Sequence, residues 1–526
     1  MSAQQKNDIP GLKTRSFVTG ARRLAAGMAA LLLSLGSMDA QAKDGSVATA
    51  AIIDSLDPHK TSGSAAALFI HNVYDTLINL NVTPSDKRGR HVPGLASSWT
   101  VSEAGRIIEF NLRPNILFQS GKPLTAEDVK FSFDRILKPE IRNPYRSNHF
   151  SYVASVDVIS PDKVQFRLKE PFAGMLDAIA AYGFVVSKEY VTQIGDAEFD
   201  KKPMGSGPYS VASYRQGDRM LFKAFEKHWA GKPYFDNLLW RAVPDINTRI
   251  AMLASGEADA ITDVPEGLMQ IVRGNGAIAK VLLGQNQRFL IINTLRGGPL
   301  ADRRVRLALN MAIDRKALVQ ALFNDDVPMM NGPLSSYHVA GDSVGPYPFD
   351  LAQAKKLMAE AGYRNGFTVD LIYTPGRYLD DPEMLPILIS YWKPLGVQIN
   401  LKATEYNQWI DLPKTKQYSG MISFSKGAGV VADPISAFSR HIACDGLYSG
   451  YCNKEVDELV NSANQIVDEA KLKEIFGKAQ RIAHDDAAQI FLFDQPSIMA
   501  WRKGLKWNSE YGGADLTGSW ALLTQE

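Results

Sequence analysis

Pro93-Gly-Leu-Ala-Ser-Ser-Trp99, Phe110-Asn-Leu-Arg113, Ser120-Gly-Lys-Pro123 and Thr125-Ala-Glu-Asp-Val-Lys-Phe-Ser-Phe-Asp-Arg135 follow one another within residues 93–135. Read as local physics, residues 107–112 are an apolar-rich strand. The Gly121-Lys-Pro123 turn follows a second short apolar piece, Leu117-Phe118. Thr125 is placed to cap a helix running to Leu137, with Asp128 where a capping box usually has Glu or Gln. Nothing in the stretch pairs a nucleophile with a base. By itself it is a folded segment of mixed strand and helix.

The same alternation continues outward, which predicts an α/β protein. Residues 248–255 have a helical pattern ending at Gly256, and 289–293 form a short apolar strand. Val305, Leu309, Ala312, Ile313 and Leu318 recur near helical spacing and predict one amphipathic helix over 302–322. Residues 350–361 predict a second helix, stopped by Gly362. Strands are predicted at 368–373, 397–401 and 421–424, a helix at 386–395, and a helix over 453–485 broken near Asp468. The chain has 526 residues, 45% hydrophobic and 22% charged. That is ordinary globular composition and enough length for two or three domains.

The first 42 residues have the pattern of an export signal. Arg15, Arg22 and Arg23 are a positive n-region, 24–36 a short apolar run, and Ala40-Gln-Ala42 an A-x-A cleavage site. The apolar run falls short of the roughly 18 residues a membrane span needs. Arg22-Arg23 suggests twin-arginine export, but its surroundings fit ordinary secretion better. No cysteine follows the run, so no lipid anchor is suggested. Removing residues 1–42 takes five basic and two acidic side chains, leaving 53 basic and 54 acidic. Such a balance gives no general attraction to nucleic acid or an anionic membrane. No other segment is apolar enough for stable membrane insertion.

The two cysteines, Cys444 and Cys452, stand eight apart. In an exported chain this reads as one disulfide closing a small loop. The alternative is a metal site with His441, which lacks a fourth ligand in sequence.

Catalytic patterns fit poorly. Gly341-Asp-Ser343-Val-Gly345 matches G-x-S-x-G, but Pro346 and Pro348 come where a helix should start. Gly274-Asn-Gly276-Ala-Ile-Ala279 follows a helical stretch rather than a strand, against a dinucleotide site. His484-Asp485-Asp486 reads as a helix face or end. No covalent catalysis and no cofactor are implied.

Other pieces recur in order with the opening stretch: Leu56-Asp-Pro58, Val73-Tyr-Asp-Thr-Leu-Ile78, Gly205-Ser-Gly-Pro-Tyr209, Gly256-Glu-Ala-Asp259 and Val305-Arg-Leu-Ala-Leu-Asn-Met-Ala-Ile-Asp-Arg315. Together they resemble the extracytoplasmic solute-binding proteins of ABC importers, in the oligopeptide/dipeptide/nickel class (family 5). The resemblance covers nearly everything after residue 45. It implies a two-lobed periplasmic binding protein fold with hinge strands and an additional inserted domain. Carried over, the first lobe comprises 43–76, 206–290 and 491–526, the inserted domain 77–205, and the second lobe 291–490. Hinge strands are expected near 205–209, 289–293 and 490–497. The implied partners are a peptide or peptide-like solute and the permease subunits, for a monomer in the periplasm. The alternatives are the same fold carrying a metal chelate or haem, or a secreted hydrolase using Ser343.

The resemblance also places a site. Arg377, in Thr374-Pro-Gly-Arg377, takes the position of an arginine that pairs with a ligand carboxylate; the other reading is a surface arginine or an internal salt bridge. Tyr406 and Trp409, in Glu405-Tyr-Asn-Gln-Trp409, stand where an aromatic lines a side-chain pocket, or simply packs between lobes. Gly427 falls where relatives carry Trp. Val430 falls where they carry the aspartate that holds a ligand's amino group, and Asp433-Pro434 keeps the step after it. Ser62 and Gly63 would offer backbone groups from the first lobe. The missing acid at Val430 points to a modified peptide or another carboxylate solute.

Overall fold

Two long strands, Ile278–Ile292 and Gln489–Trp501, run antiparallel through the centre of a ten-stranded sheet. The computed structural model describes residues 42–526 except 54, 62–63, 82, 84–89, 148, 324–326, 336–337, 379, 428–433, 467 and 511–518. The predicted signal at 1–42 falls almost wholly outside the described residues.

On one side of the central pair lie Met421–Gly427, Thr368–Tyr373 and Gln398–Ala403, with Thr368–Tyr373 parallel to both of the others. On the other side lie Ala260–Ile261, Asp44–Thr49, Asn237–Ala242, Arg219–Ala224 and Tyr209–Arg215. The central pairing breaks between Leu282 and Asn286, and again between Arg288 and Phe289. Such irregularities bend and twist a strand pair, so the sheet divides here into two lobes. Each lobe has its own apolar core, one around Phe69, Phe222, Trp240 and Trp520, the other around Leu309, Leu388, Trp392 and Leu492. Among the described residues, Ile278–Ile292 and Gln489–Trp501 are the strands that cross between them. Residues 205–209, expected as a third hinge, instead enter the outer strand Tyr209–Arg215 and stay with the first lobe.

The opening stretch builds a third core. Ala96–Ser102, Ile107–Leu112, Lys163–Leu168 and Val153–Ser160 make a four-stranded antiparallel sheet in the order first, second, fourth, third by chain position. The helix Ala126–Leu137 covers it, burying Val129, Phe133 and Ile136 on one face. The amide of Thr125 donates to Asp128 at 2.9 Å, the reciprocal half of a capping box with Asp in the Glu position. Residues of this core run from Leu77 to Met204.

Gly205-Ser-Gly-Pro-Tyr209 is the joint between this core and the first lobe. A Cβ at Gly205 would lie 2.1 Å from the Val73 carbonyl oxygen, and one at Gly207 would lie 2.6 Å from the Val73 carbonyl carbon. The two backbones touch, and only glycine permits that. Gln119 closes the joint: its Nε2 donates to the carbonyls of Val73, Gly207 and Tyr209, and its Oε1 accepts from the Gly205 amide. Beneath lies a buried pair. Arg135 Nη1 donates to Asp57 Oδ1 at 3.0 Å and Nη2 to Asp57 Oδ2 at 2.5 Å, while Nε reaches Asp196 at 2.9 Å. Leu56-Asp-Pro58 and the arginine of the opening stretch thus meet across 78 residues.

Some expected boundaries shift. The helix predicted over 302–322 is two helices, Arg303–Met311 and Arg315–Phe323. Asp314 accepts from the Ala317 amide and starts the second, while Arg315 turns inward to the carbonyls of Asn310 and Phe491. The helix expected from 386 begins at Asp381 and keeps Pro386 inside it. The helix break expected near Asp468 is present, with Asp468 capping Glu469–Asp485.

Candidate functional site

Three neighbouring strands of the second lobe, Gln398–Ala403, Thr368–Tyr373 and Met421–Gly427, point the same way. Carboxyl ends of parallel strands are where open α/β sheets bind ligands. Arg377 follows one such end and Tyr406 another, and Gly427 is the last residue of the third, paired with Asn286. Residues distant in sequence converge there because the strands are adjacent and parallel.

Arg377 lies in a turn closed by its amide donating to the Thr374 carbonyl at 3.1 Å, with Gly376 at φ +74°. Its guanidinium carbon sits 5.3 Å from the Tyr378 ring and 5.5 Å from the Tyr406 ring. Both distances are in cation–π range. Arg377 is exposed and makes no ion pair with any described residue. Tyr406 is exposed beside it, at 43%. Trp409 is 1% exposed and lies behind the wall rather than on it. It packs against Tyr406, Tyr378 and Phe424 at ring separations of 5.8, 6.0 and 5.1 Å. It therefore packs behind the aromatic wall and supports the Tyr406 and Tyr378 rings. Ser62, Gly63, Val430 and Asp433 lie outside the described residues.

Sequence reasoning missed the group under Arg377. Arg288 is wholly buried on the crossing strand Ile278–Ile292. Its Nε donates to Asp380 at 2.8 Å, and its Nη2 to Asp381 at 2.6 Å and to Ser423 at 3.2 Å. Its guanidinium lies 4.4 Å from Tyr378, so that ring is held between two arginines. Burial opposes the charge on Arg288, but the two aspartates outweigh it and raise its pKa. Half of the signal was present in the sequence: a cation inside an apolar strand needs a buried partner, but Asp325-Asp326, Asp380-Asp381 and Asp485-Asp486 all offer one. Gln495 Oε1 accepts from Ser425 Oγ at 3.3 Å, which ties the central strand Gln489–Trp501 to Met421–Gly427 at the same floor.

The first lobe faces this loop through Glu266, in the turn Glu266–Leu268 after Ala260–Ile261. Burial pushes the Glu266 carboxyl up to about 7, and the nearby charges of Asp380 and Glu383 push the same way. A first-lobe acid thus lies opposite the second-lobe loop that carries Arg377. The arrangement offers a cation, flat aromatic faces and two walls that can enclose a solute.

The catalytic and metal patterns take structural places. Ser343 lies in a turn, its amide donating to the Ala340 carbonyl, with no strand-to-helix elbow. His484 stacks on Tyr347 at 4.0 Å, and Asp486 accepts from Asn453 at 3.1 Å and from Tyr451. Cys444 and Cys452 are joined to each other, which removes both thiolates from any site with His441. No group of three or more potential metal ligands occurs among the described residues, and none of their helices is long and apolar enough to cross a membrane.

The chain is similar to known proteins over most of its length. It is 27% identical over 479 residues to the dipeptide-binding protein of Escherichia coli K12, covering 85% of this chain and 88% of that one. It is 28% identical over 503 residues to the glutathione-binding protein GsiB of Pectobacterium atrosepticum, covering 93% and 96%. The ABC transporter substrate binding protein CtaP from Listeria monocytogenes has the same fold, at TM-score 0.81 and 22% identity over 92% of this chain and 99% of that one. Residues 90–448, more than half the chain, match the family described as Bacterial extracellular solute-binding proteins, family 5 Middle, and the chain belongs to that family.

Proposed function

We propose that this protein captures a carboxylate-bearing, peptide-like solute between its lobes and delivers it to the permease of an ABC importer. The observation that carries this reading is Arg377, an exposed guanidinium set beside two tyrosine rings with no acidic partner among the described residues. A guanidinium binds a carboxylate through paired, charge-assisted hydrogen bonds. Tyr378 and Tyr406 hold the Arg377 side chain, and the exposed Tyr406 ring gives an apolar face for the rest of the solute. Dipeptides and glutathione, which two relatives are named for, both carry carboxylates. Val430 replaces the acid expected to hold an amino group, so the favoured cargo has a blocked or absent α-ammonium.

The same reading assigns residues 1–42 to export, the mature chain to the periplasm as a monomer, and lobe limits at 76/77, 205/206, 290/291 and 490/491. The core running from Leu77 to Met204 supports the first two limits. Calorimetry with pairs of free and N-acetylated dipeptides is the test. Equal or tighter binding of the acetylated member is expected. A strong preference for the free amine would defeat the Val430 argument, and unchanged affinity in Arg377→Ala would remove Arg377 from the site.

A further inference from the structure

A cavity of about 370 Å³ lies away from the interlobe cleft, where the inserted domain meets the first lobe. That volume is in the range of small-molecule sites. Tyr74, Leu80, Val92, Pro233, Ala521 and Leu522 make much of its wall apolar, and no residue of the second lobe lines it. Much of the rest of the wall is polar: Asp75 and His228 sit there together beside Trp229, and Asn79, Asn81, Lys232 and Ser519 line it too.

The hydrogen bonds of His228 fix which nitrogen carries the proton. Its Nδ1 is 3.2 Å from the Gly231 carbonyl, which can only accept, so Nδ1 is the donor. In the neutral ring Nε2 is then a lone-pair acceptor. Nε2 is buried, has no hydrogen-bond partner, and lies 3.6 Å from Oδ1 of Asp75. In that form two acceptors face each other; with a proton on Nε2 as well, the ring would pair with Asp75 directly, so an amine bound here takes the place of that proton. The other oxygen of Asp75 accepts from Ser206 Oγ at 2.8 Å. Among the described residues no lysine or arginine pairs with Asp75. Lys232, at the rim, is paired with Asp236 at 2.5 Å and Glu226 at 3.4 Å. Burial pushes His71, on the same wall, down to about 4, so it adds no charge near neutral pH.

We propose that this cavity is a second binding site, for a small amine with an apolar body, the ammonium donating to both His228 Nε2 and Asp75 Oδ1. A hydroxyl could bridge the two acceptors as well, but an ammonium also brings a positive charge to the Asp75 carboxylate, and hydrogen bonds to charged groups are the stronger ones. Trp229 adds a buried indole N–H without a partner, available to an acceptor on the same molecule. The inference rests on this wall alone and stands apart from the reading of the cleft.

Calorimetry on the mature protein with 2-phenylethylamine as probe, and 3-phenylpropionate as its anionic counterpart, is the test. The amine should bind saturably and the acid should not bind at this site. His228→Phe and Asp75→Asn should each weaken the amine by about tenfold or more, the loss of a hydrogen bond to a charged group. Ala521→Trp touches neither acceptor, fills the cavity, and should abolish binding. Arg377→Ala should leave it unchanged. Should Asp75→Asn unfold through its loss to Ser206, the other two variants decide. No saturable binding, binding indifferent to both His228→Phe and Ala521→Trp, or binding lost in Arg377→Ala would each overturn the proposal.

Discussion

The joint around Arg135 and the cleft wall around Arg377 use the same side chain in opposite ways. Arg135 is 2% exposed, held bidentate by Asp57, met by Asp196, and donates to Nδ1 of His59. Arg377 is exposed, touches tyrosine rings and meets no acid among the described residues. The first arginine is fully used within the protein and fastens one domain to another. The second is positioned by the protein and is paired with no acid among the described residues, which is what the proposed carboxylate site requires. Arg288 stands between them. It is as buried as Arg135 and paired with two aspartates, but it lies under the cleft wall and supports Tyr378 from below.

The largest effect should come from breaking the joint on one side only. Asp57→Ala leaves Arg135 buried without its main partner, and truncation of one member of a buried pair costs about 3–5 kcal/mol. Chemical unfolding should show a loss of that size. Replacing both, as Asp57→Leu with Arg135→Met, should cost much less. If the single variant unfolds no more easily than the unmodified protein, the pair is not the fastening it is taken to be.

Acid should attack the same joint. His59 donates from Nε2 to the Phe184 carbonyl at 2.9 Å and accepts at Nδ1 from Arg135, so a second proton would point at a cation. Burial first, and Arg135 next, lower its pKa from 6.5 to about 4. The unfolded chain then binds more protons between those values. Stability is whole above pH 6.5 and falls toward pH 4, by about 2–4 kcal/mol for His59. Burial lowers His71 and His149 to about 4 as well, so the total slope is steeper. Unfolding titrations at pH 7 and pH 5 should show the drop, and His59→Gln should flatten it. A slope unchanged in that variant would assign the acid sensitivity elsewhere.

At the cleft the expected pattern is reversed, with little change in stability and a large change in binding. Arg377→Ala removes the partner of a charge enclosed between lobes, a loss of about 2–4 kcal/mol in affinity for a carboxylate solute. Its melting temperature should hardly move, because an exposed side chain without an ion pair leaves nothing buried and unpaired. A variant that melts early and binds normally would exchange the roles assigned to the two regions.

Much of the joint was legible and much of the cleft was not. The strand Ile107–Leu112 and the helix Ala126–Leu137 come from apolar spacing and a cap, and both lie where that spacing puts them. Thr368–Tyr373 is likewise where alternation puts it. Local patterns fail where a side chain is recruited from far away. The chain between Met311 and Arg315 leaves the helix because Asp314 caps the next one and Arg315 is drawn to the Phe491 carbonyl. Arg288 was passed over because a strand reading favours its apolar neighbours, and its partners lie 92 and 93 residues away. Arg377, Tyr406 and Trp409 were singled out by resemblance, but only packing separates the exposed Tyr406 from the buried Trp409 behind it.

A smaller effect is expected at the disulfide, which belongs to neither region. The loop 445–451 that it closes should contribute about 2–3 kcal/mol by the chain-entropy estimate. Cys444→Ser with Cys452→Ser should lower the unfolding midpoint accordingly and leave solute affinity unchanged. Thiol labelling of the oxidised, denatured protein should find no free sulfhydryl; two reactive thiols would end the assignment.

The smallest effect sharpens the comparison most. Tyr406 is 43% exposed, and its ring meets Arg377 at 5.5 Å and Trp409 at 5.8 Å. Tyr406→Leu keeps an apolar side chain over Trp409 but removes one of the two rings that hold the guanidinium. An exposed cation–π contact contributes about 0.5–1 kcal/mol. The affinity loss should be of that size, well below the loss in Arg377→Ala. In the background of Arg377→Ala the same substitution should cost less again, because the ring then has no cation to hold. A double-mutant cycle measures that coupling directly. Additive losses would mean that Tyr406 contacts the solute by itself, as the wall of a side-chain pocket. A clear coupling would mean that it acts through Arg377, and that the arginine's direction is set by the two tyrosines before any solute arrives.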